Sequence, residues 1–287
     1  MTPTKTVLDV LRAGEGWLRQ REVDAPKRSM ELLLGHVLGL RRLDLYLAFD
    51  RPMTGSELLK ARALLQRRGQ HEPLAYVLGE VGFRTSIVRC DPRALIPRPE
   101  TEDLVELALA RARQGSRVLD LGTGSGAIAL ALAVERPDLA ITAVDSSAEA
   151  LALAAENFVA AGVRDRIDLR LGSWFGPVAG LQFDVVVSNP PYVDPARPEL
   201  LADDVRRFEP HAALFTPPGD PAASYRAILA DAAAAIVPGG WILFETGVEA
   251  ADAALEALRA QAFLSDVELR PDLAGLPRYL LARRASP

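Results

Sequence analysis

The stretch Arg117-Val118-Leu119-Asp120-Leu121-Gly122-Thr123-Gly124-Ser125-Gly126 reads as a short buried strand running into a glycine turn. The Ala/Leu-rich segment Ala127 to Glu135 follows it as a helix. Strand, glycine turn and helix in that order bring the backbone close to a ligand at a helix N-terminus. The same alternation continues downstream. A second strand, Ile141 to Val144, ends at Asp145, where a carboxylate can accept both hydroxyls of a ribose. A helix from about Ala148 to Ala161 contains Asn157, and a third strand covers Ile167 to Leu171. The loop Gly172-Ser173-Trp174-Phe175 then places Trp174 where an adenine ring can stack, or where an aromatic can fill an edge of the core. Strands alternating with helices predict a parallel sheet covered on both faces.

A fourth strand, Phe183 to Val187, runs into Ser188-Asn189-Pro190-Pro191-Tyr192. Two prolines have no N–H for a sheet ladder, so the strand stops there, and the residue before a proline is pushed out of helical space. The result is a stiff bracket at the carboxyl end of a strand, where open α/β sheets bind ligands. The Asn189 side-chain oxygen and the Pro190 carbonyl can accept from one planar NH2 group, with Tyr192 stacked on its face. An amide nitrogen or an exocyclic base amine both suit such a bracket. Gly122, Gly124 and Ala127 also satisfy the G-x-G-x-x-G/A pattern of dinucleotide sites, with Asp145 as the ribose acid. The bracket beside the adenosine site argues against hydride chemistry on a nicotinamide.

Upstream, residues 4–75 read as a bundle of four or five helices. A helix start is expected at Asp24-Ala25-Pro26, a stop at Gly39, and a capping box at Thr54 and Glu57. Residues 74–90 look like a β-hairpin or extended linker, built on Tyr76, Val77, Val81, Phe83, Ile87 and Val88. Leu95-Ile96-Pro97-Arg98-Pro99-Glu100-Thr101 is a rigid arm that holds Arg98 over a ligand or simply enters a helix, Glu102 to Arg113. Residues 193–220 are proline-rich and irregular. Helix Ser224 to Ile236, a Pro238-Gly239-Gly240 turn, strand Trp241 to Glu245, helix Glu249 to Gln261 and two final strands complete a seven-stranded sheet with one antiparallel edge strand. The expected organisation is a helical N-terminal domain (1–73), a hairpin linker (74–94) and an α/β catalytic domain (95–287).

Composition narrows the function. The net charge is −5, which gives no support for direct nucleic-acid binding. Residues 1–72 carry 13 Lys and Arg against 9 Asp and Glu, so this end is mildly basic (+4) and the remainder acidic (−9). The single cysteine, Cys90, fits a reducing cytoplasm. No apolar run approaches the ~20 residues of a membrane span. Three histidines and no His/Cys cluster predict no metal site.

With these motifs together, the chain resembles the HemK/PrmC family of protein-(glutamine-N5) methyltransferases that act on peptide-chain release factors. The resemblance covers nearly the whole length. It is carried by the helical N-terminal region, the Leu95–Thr101 arm, the Leu119–Gly126 loop, Ser188–Tyr192, Arg207-Phe208-Glu209-Pro210 and Asp272-Leu273-Ala274-Gly275. It implies a class I methyltransferase fold with a Rossmann-like sheet, S-adenosylmethionine as donor, and the N5 nitrogen of a Gly-Gly-Gln glutamine in class 1 release factors as acceptor. It also implies roles: Gly122, Thr123, Gly124, Ser125 and Gly126 against the methionine part of the donor, Asp145 on the ribose and Trp174 near the adenine. Asn189, Pro190, Pro191 and Tyr192 would hold the glutamine amide, with Arg98 nearby. A cytoplasmic monomer is expected. Two places depart from the family pattern, Thr246 before Gly247 and the turn Gly219–Ala223, and both are expected to lie outside the site. Asn-Pro-Pro-Tyr is shared with DNA adenine methyltransferases. That leaves an adenine-N6 enzyme, a ribosomal-protein glutamine methyltransferase and a non-catalytic donor-binding module as alternatives.

Overall fold

The computed structural model describes residues 5–286, so the first four residues of the expected helical region and the last of the expected catalytic domain lie outside the described residues. The chain divides into two compact units. One is Met1–Gly79 together with Asp203–Phe208, and the other is Glu80–Ala202 together with Glu209–Pro287.

The first unit is helical: α1 (Val7–Arg19), α2 (Pro26–Leu38), α3 (Arg42–Leu47), α4 (Gly55–Arg68) and α5 (Leu74–Leu78). Capping boxes open α1, at Thr6 and Asp9, and α4, at Thr54 and Glu57, each satisfying backbone donors at both ends of the box. Pro26 sits in the first turn of α2, and Gly39 closes that helix at φ 64°. Met30, Leu33, Leu34, Leu45 and Val77 are buried in the shared core. Glu31 is buried too. It accepts from Arg42 Nε at 2.6 Å and from the Tyr46 hydroxyl at 2.5 Å, which ties α3 to α2.

Residues 74–78 correct the sequence reading. They form a helical turn, not part of a hairpin, because Pro73 sets its entry, Gly79 (φ 79°) ends it, and Tyr76 and Val77 are buried, Val77 in the helical core. The hairpin is confined to β1 (Glu80–Phe83) and β2 (Ser86–Arg89).

The second unit continues with α6 (Pro99–Leu109), β3 (Arg117–Leu121), α7 (Ala127–Glu135), β4 (Ala140–Asp145), α8 (Ala148–Ala160), β5 (Ile167–Leu171) and β6 (Phe183–Ser188). The stretch read as irregular contains α9 (Asp203–Phe208), which belongs to the helical unit, and α10 (His211–Leu214). The chain then runs through α11 (Ala223–Ala235), β7 (Ile236–Glu245), α12 (Ala251–Arg259), β8 (Leu264–Pro271) and β9 (Pro277–Arg284). Helix α6 starts three residues earlier than expected because Pro99 occupies its first turn.

The sheet order is β5-β4-β3-β6-β7-β9-β8. One strand, β9, runs antiparallel to its neighbours, but it is not the edge strand. It inserts between β7 and β8, so β8 closes the sheet. Alternate residues of each strand face opposite layers. Val118, Val185, Val187 and Leu243 pack with α6, α7 and α8, while Leu119, Val186, Ile242 and Phe244 pack with α11 and α12. The Pro238-Gly239-Gly240 segment is not a turn outside the strand but an irregularity within β7. The register shifts there, and a Cβ on Gly240 would come within 2.9 Å of Asp184 O.

Candidate functional site

The order of the strands reverses between β4, β3 and β6, which is where a crevice opens at the carboxyl ends of a parallel sheet. Leu121 pairs with Ser188 in register, so the glycine loop and the Asn-Pro-Pro-Tyr bracket leave adjacent strands at the same height. The Ser188 hydroxyl donates to Leu121 O at 2.6 Å and ties the two together. A cavity of about 400 Å³ lies here, within the usual range of small-molecule sites.

One wall is the turn after β3. The backbone N–H groups of Gly122 and Thr123 both donate to Val144 O, at 2.8 and 3.0 Å, which locks the loop onto β4. Asp145 holds it from the side: Oδ2 accepts from Gly124 N at 2.9 Å and Oδ1 from Ser147 N at 2.8 Å. Burial pushes the Asp145 carboxyl above its ordinary pKa, against those backbone donors. Each oxygen keeps a lone pair for a further donor, such as one hydroxyl of a diol.

Gly122, Thr123, Gly124 and Ser125 line the cavity, but Gly126 does not. Its φ is 83°, and a Cβ added there would lie 2.7 Å from the Phe158 ring, so this glycine serves the close packing of α7 against α8. Asn157, inside α8, anchors the same loop. Its amide donates to Ser125 O (2.9 Å) and its oxygen accepts from Arg89 N (2.8 Å). Asp120 is fully buried beneath. Its Oδ2 accepts from the Thr123 hydroxyl at 2.6 Å, Oδ1 has no partner among the described residues, and burial lifts its pKa to about 7.

The opposite wall combines the arm and the bracket. Pro92 to Arg98, Thr101, Asn189 and Pro191 all reach the cavity, while Trp174 lines it beside Gly122 on the first wall. Arg98 faces it already paired. Its Nη2 donates to Glu209 Oε1 at 2.6 Å, and Glu209 Oε2 accepts from Ile96 N at 3.0 Å. That buried carboxylate fixes the arm, and sequence reasoning did not single it out, although Arg207-Phe208-Glu209-Pro210 contains it. Pro190 is buried and Tyr192 partly so, and neither lines the cavity. The Tyr192 ring lies over Gly247, where a Cβ would approach its Cδ2 and Cε2 to 2.9 Å. Gly247, a glycine the chain shares with the family pattern, therefore touches the bracket: only a glycine leaves room for that ring.

Thr101 and Glu245 also escaped the sequence reading. Glu245 ends β7 with 2% exposure, and the Thr101 hydroxyl donates to its Oε2 at 2.7 Å. Asn189 Nδ2 donates to Thr101 Oγ1 at 3.4 Å. No residue signal marks this relay in the sequence; it exists only because Ser188 pairs with Phe244 and brings the next residues side by side. Among the described residues no helix is long and apolar enough to cross a membrane.

Comparison with known proteins agrees with this architecture. Residues 9–79 match the family model of the PrmC N-terminal domain, and residues 101–207 match that of the methyltransferase small domain. A release factor glutamine methyltransferase of Nitratidesulfovibrio vulgaris is 41% identical over 287 residues, covering 99% of this chain and 97% of that protein. One from Salmonella typhimurium is 41% identical over 273 residues, covering 93% and 97%. One from Yersinia pestis is 44% identical over 241 residues, covering 84% and 86%. With identity of this order sustained across both units, the chain belongs to the release factor glutamine methyltransferase family.

Proposed function

We propose that this protein transfers a methyl group from S-adenosylmethionine to the side-chain amide nitrogen of the glutamine in the Gly-Gly-Gln motif of class 1 peptide-chain release factors. The observation that supports it best is the shared cavity: the glycine loop with Asp145 on one wall, Asn189 on the other. The donor suits the first wall. Asp145 offers two oxygens to a ribose diol, the backbone of Gly122 to Ser125 has room for a chain laid along it, and Trp174 supplies an aromatic face. When bound, the donor supplies an electrophilic sulfonium methyl.

The acceptor amide is a poor nucleophile because its lone pair is delocalised. The protein's part is therefore alignment, and holding reactants in line is worth roughly 7–11 kcal/mol of barrier. Asn189 accepts one amide N–H through its side-chain oxygen, and the carbonyl of Pro190, a residue behind the cavity lining, is the acceptor proposed for the other. These acceptors turn the nitrogen towards the methyl and favour the positive charge that develops on it. Tyr192, held by Gly247, backs the bracket, and burial lifts its phenol to about 12, so it stays neutral. Arg98, balanced by Glu209, keeps the arm closed over the cavity without adding net charge. The helical unit carries none of the cavity residues and is assigned to holding the body of the acceptor protein. A Gly-Gly-Gln peptide should then reach a similar kcat at a much higher KM than the intact factor.

The test is transfer of labelled methyl to a purified release factor, with its Gly-Gly-Ala variant and adenine-containing DNA as controls. Label on the intact factor alone is the expected result. Label on DNA alone, or on the Gly-Gly-Ala variant, overturns the proposal.

A further inference from the structure

The bracket's selectivity depends on which end of the Asn189 side-chain amide faces the cavity. An oxygen there accepts an amide N–H; an NH2 there would repel it. Nothing in an Asn-Pro-Pro-Tyr sequence decides between the two, since oxygen and nitrogen ends have the same shape. The structure supplies the decision from behind. Asn189 follows β6, and Glu245 ends β7 directly beside it. Glu245 is buried, and among the described residues no cation lies within salt-bridge distance of it. Thr101, in the first turn of α6, bridges the two: its Oγ1 is 2.7 Å from Glu245 Oε2 and 3.4 Å from Asn189 Nδ2.

Counting protons fixes the direction of this relay. A carboxylate only accepts, and a hydroxyl has a single proton. Facing ionised Glu245, the Thr101 hydroxyl gives that proton to the carboxylate and keeps only lone pairs for its other neighbour. Asn189 must then turn its NH2 towards Thr101. Its oxygen is left for the cavity, and no donor among the described residues occupies it. The reverse orientation would set the Asn189 oxygen against a Thr101 oxygen with no proton left to give, two acceptors with no donor between them.

We propose that Thr101 and Glu245 are positioning residues that fix the Asn189 side chain with its carbonyl oxygen presented to the acceptor amide. This deepens, and rests on, the reading of Asn189 as the acceptor contact. The bracket and the Pro-Arg-Pro-Glu-Thr arm are thereby parts of one device: Pro99 starts α6 where Thr101 can reach both partners.

The test compares Thr101→Val, which keeps the shape and removes the hydroxyl, with Thr101→Ser, which keeps the hydroxyl, and with Glu245→Gln. For each, kcat and KM towards the release factor are measured below the variant's Tm, with donor affinity by titration. Thr101→Val and Glu245→Gln should lower kcat roughly tenfold or more, with donor affinity changed less than twofold. Thr101→Ser should stay within about threefold of wild type. In an Asn189→Ala background, Thr101→Val should have little further effect, because the group it positions is gone. Wild-type kcat in Thr101→Val, or a serine variant as impaired as the valine one, overturns the proposal. Additive losses in the double variant overturn it as well. Should Asn189→Ala itself retain kcat, the reading of the bracket fails first, which keeps the two failures distinct.

Discussion

The two walls of the cavity are built in opposite ways. Around the glycine loop the geometry is set by main chain: Gly122 and Thr123 donate to Val144 O, and Gly124 and Ser147 donate to Asp145. Around the bracket it is set by side chains reaching across the sequence: Asn189 to Thr101, Thr101 to Glu245, Arg98 to Glu209. A backbone wall withstands changes of the loop's own side chains, but not of its conformation or of the Asp145 and Asn157 groups that hold it. A side-chain wall is the reverse, since removing one atom breaks the relay while the fold stands.

Two substitutions break this division most sharply. Asn189→Ala should lower kcat by about 10²–10³, the cost of losing one preorganised group at a developing charge, and leave donor affinity within twofold. Asp145→Ala should do the opposite, weakening donor binding roughly ten- to a hundredfold through lost charge-assisted hydrogen bonds. Single-turnover rates and donor titration on the same preparations separate the two. Parallel losses of rate and affinity in both variants would erase the distinction between the walls.

Gly126→Ala attacks the backbone wall through conformation. A left-handed φ of 83° and 2.7–3.0 Å contacts with Phe158 and Ala154 leave no room for a methyl group. Overpacking of this kind costs about 1–3 kcal/mol, so Tm should fall by roughly 3–10 °C. Ser125→Ala, on the same loop, should scarcely move Tm, because the loop uses the Ser125 carbonyl to receive Asn157. A stable Gly126→Ala protein would mean that α8 can yield.

The same division explains what can be read from the chain without its structure. The glycine loop is legible because main-chain geometry leaves glycines at fixed spacing within ten residues. The bracket is legible because two prolines must end a strand. The sheet is legible from strands and helices in alternation. What stays hidden depends on pairing across distance. Thr101 and Glu245 are 144 residues apart, and only the β6–β7 register brings Glu245 beside Asn189. The inserted position of β9 is likewise a matter of strand order, to which a local pattern is blind. Residues 74–78 mislead because Tyr76 and Val77 favour strands, and burial of both, with Val77 in the helical core, overrides that preference. Gly126 reads as a ligand-approach glycine because spacing cannot tell a glycine that admits a ligand from one that admits Phe158.

The smallest expected effect tests the side-chain wall through its proton content. Burial raises Glu245 to about 7, with the Thr101 hydroxyl, the Arg278 charge and the Asn189 side-chain amide pulling down and Glu100 pushing up. The other ionisable groups facing it are phenols, Tyr192, Tyr225 and Tyr279, all shifted upward and so neutral in this range. Because the folded value lies above the ordinary 4.5, the neutral acid is the better-tolerated form in the folded state. This group's contribution to stability is therefore greatest below about 4.5, declines as pH rises towards 7, and is flat above. Activity should move the other way. Protonated Glu245 can donate to Thr101, which frees the Thr101 proton and removes the demand that Asn189 present its NH2. Ionised Glu245 restores that demand. Between pH 6 and 8 kcat should rise by less than tenfold with a midpoint near 7, and the rise should vanish in Glu245→Gln. Asp120, also lifted to about 7, remains in that variant, so a profile that persists there would assign the titration to the backbone wall instead.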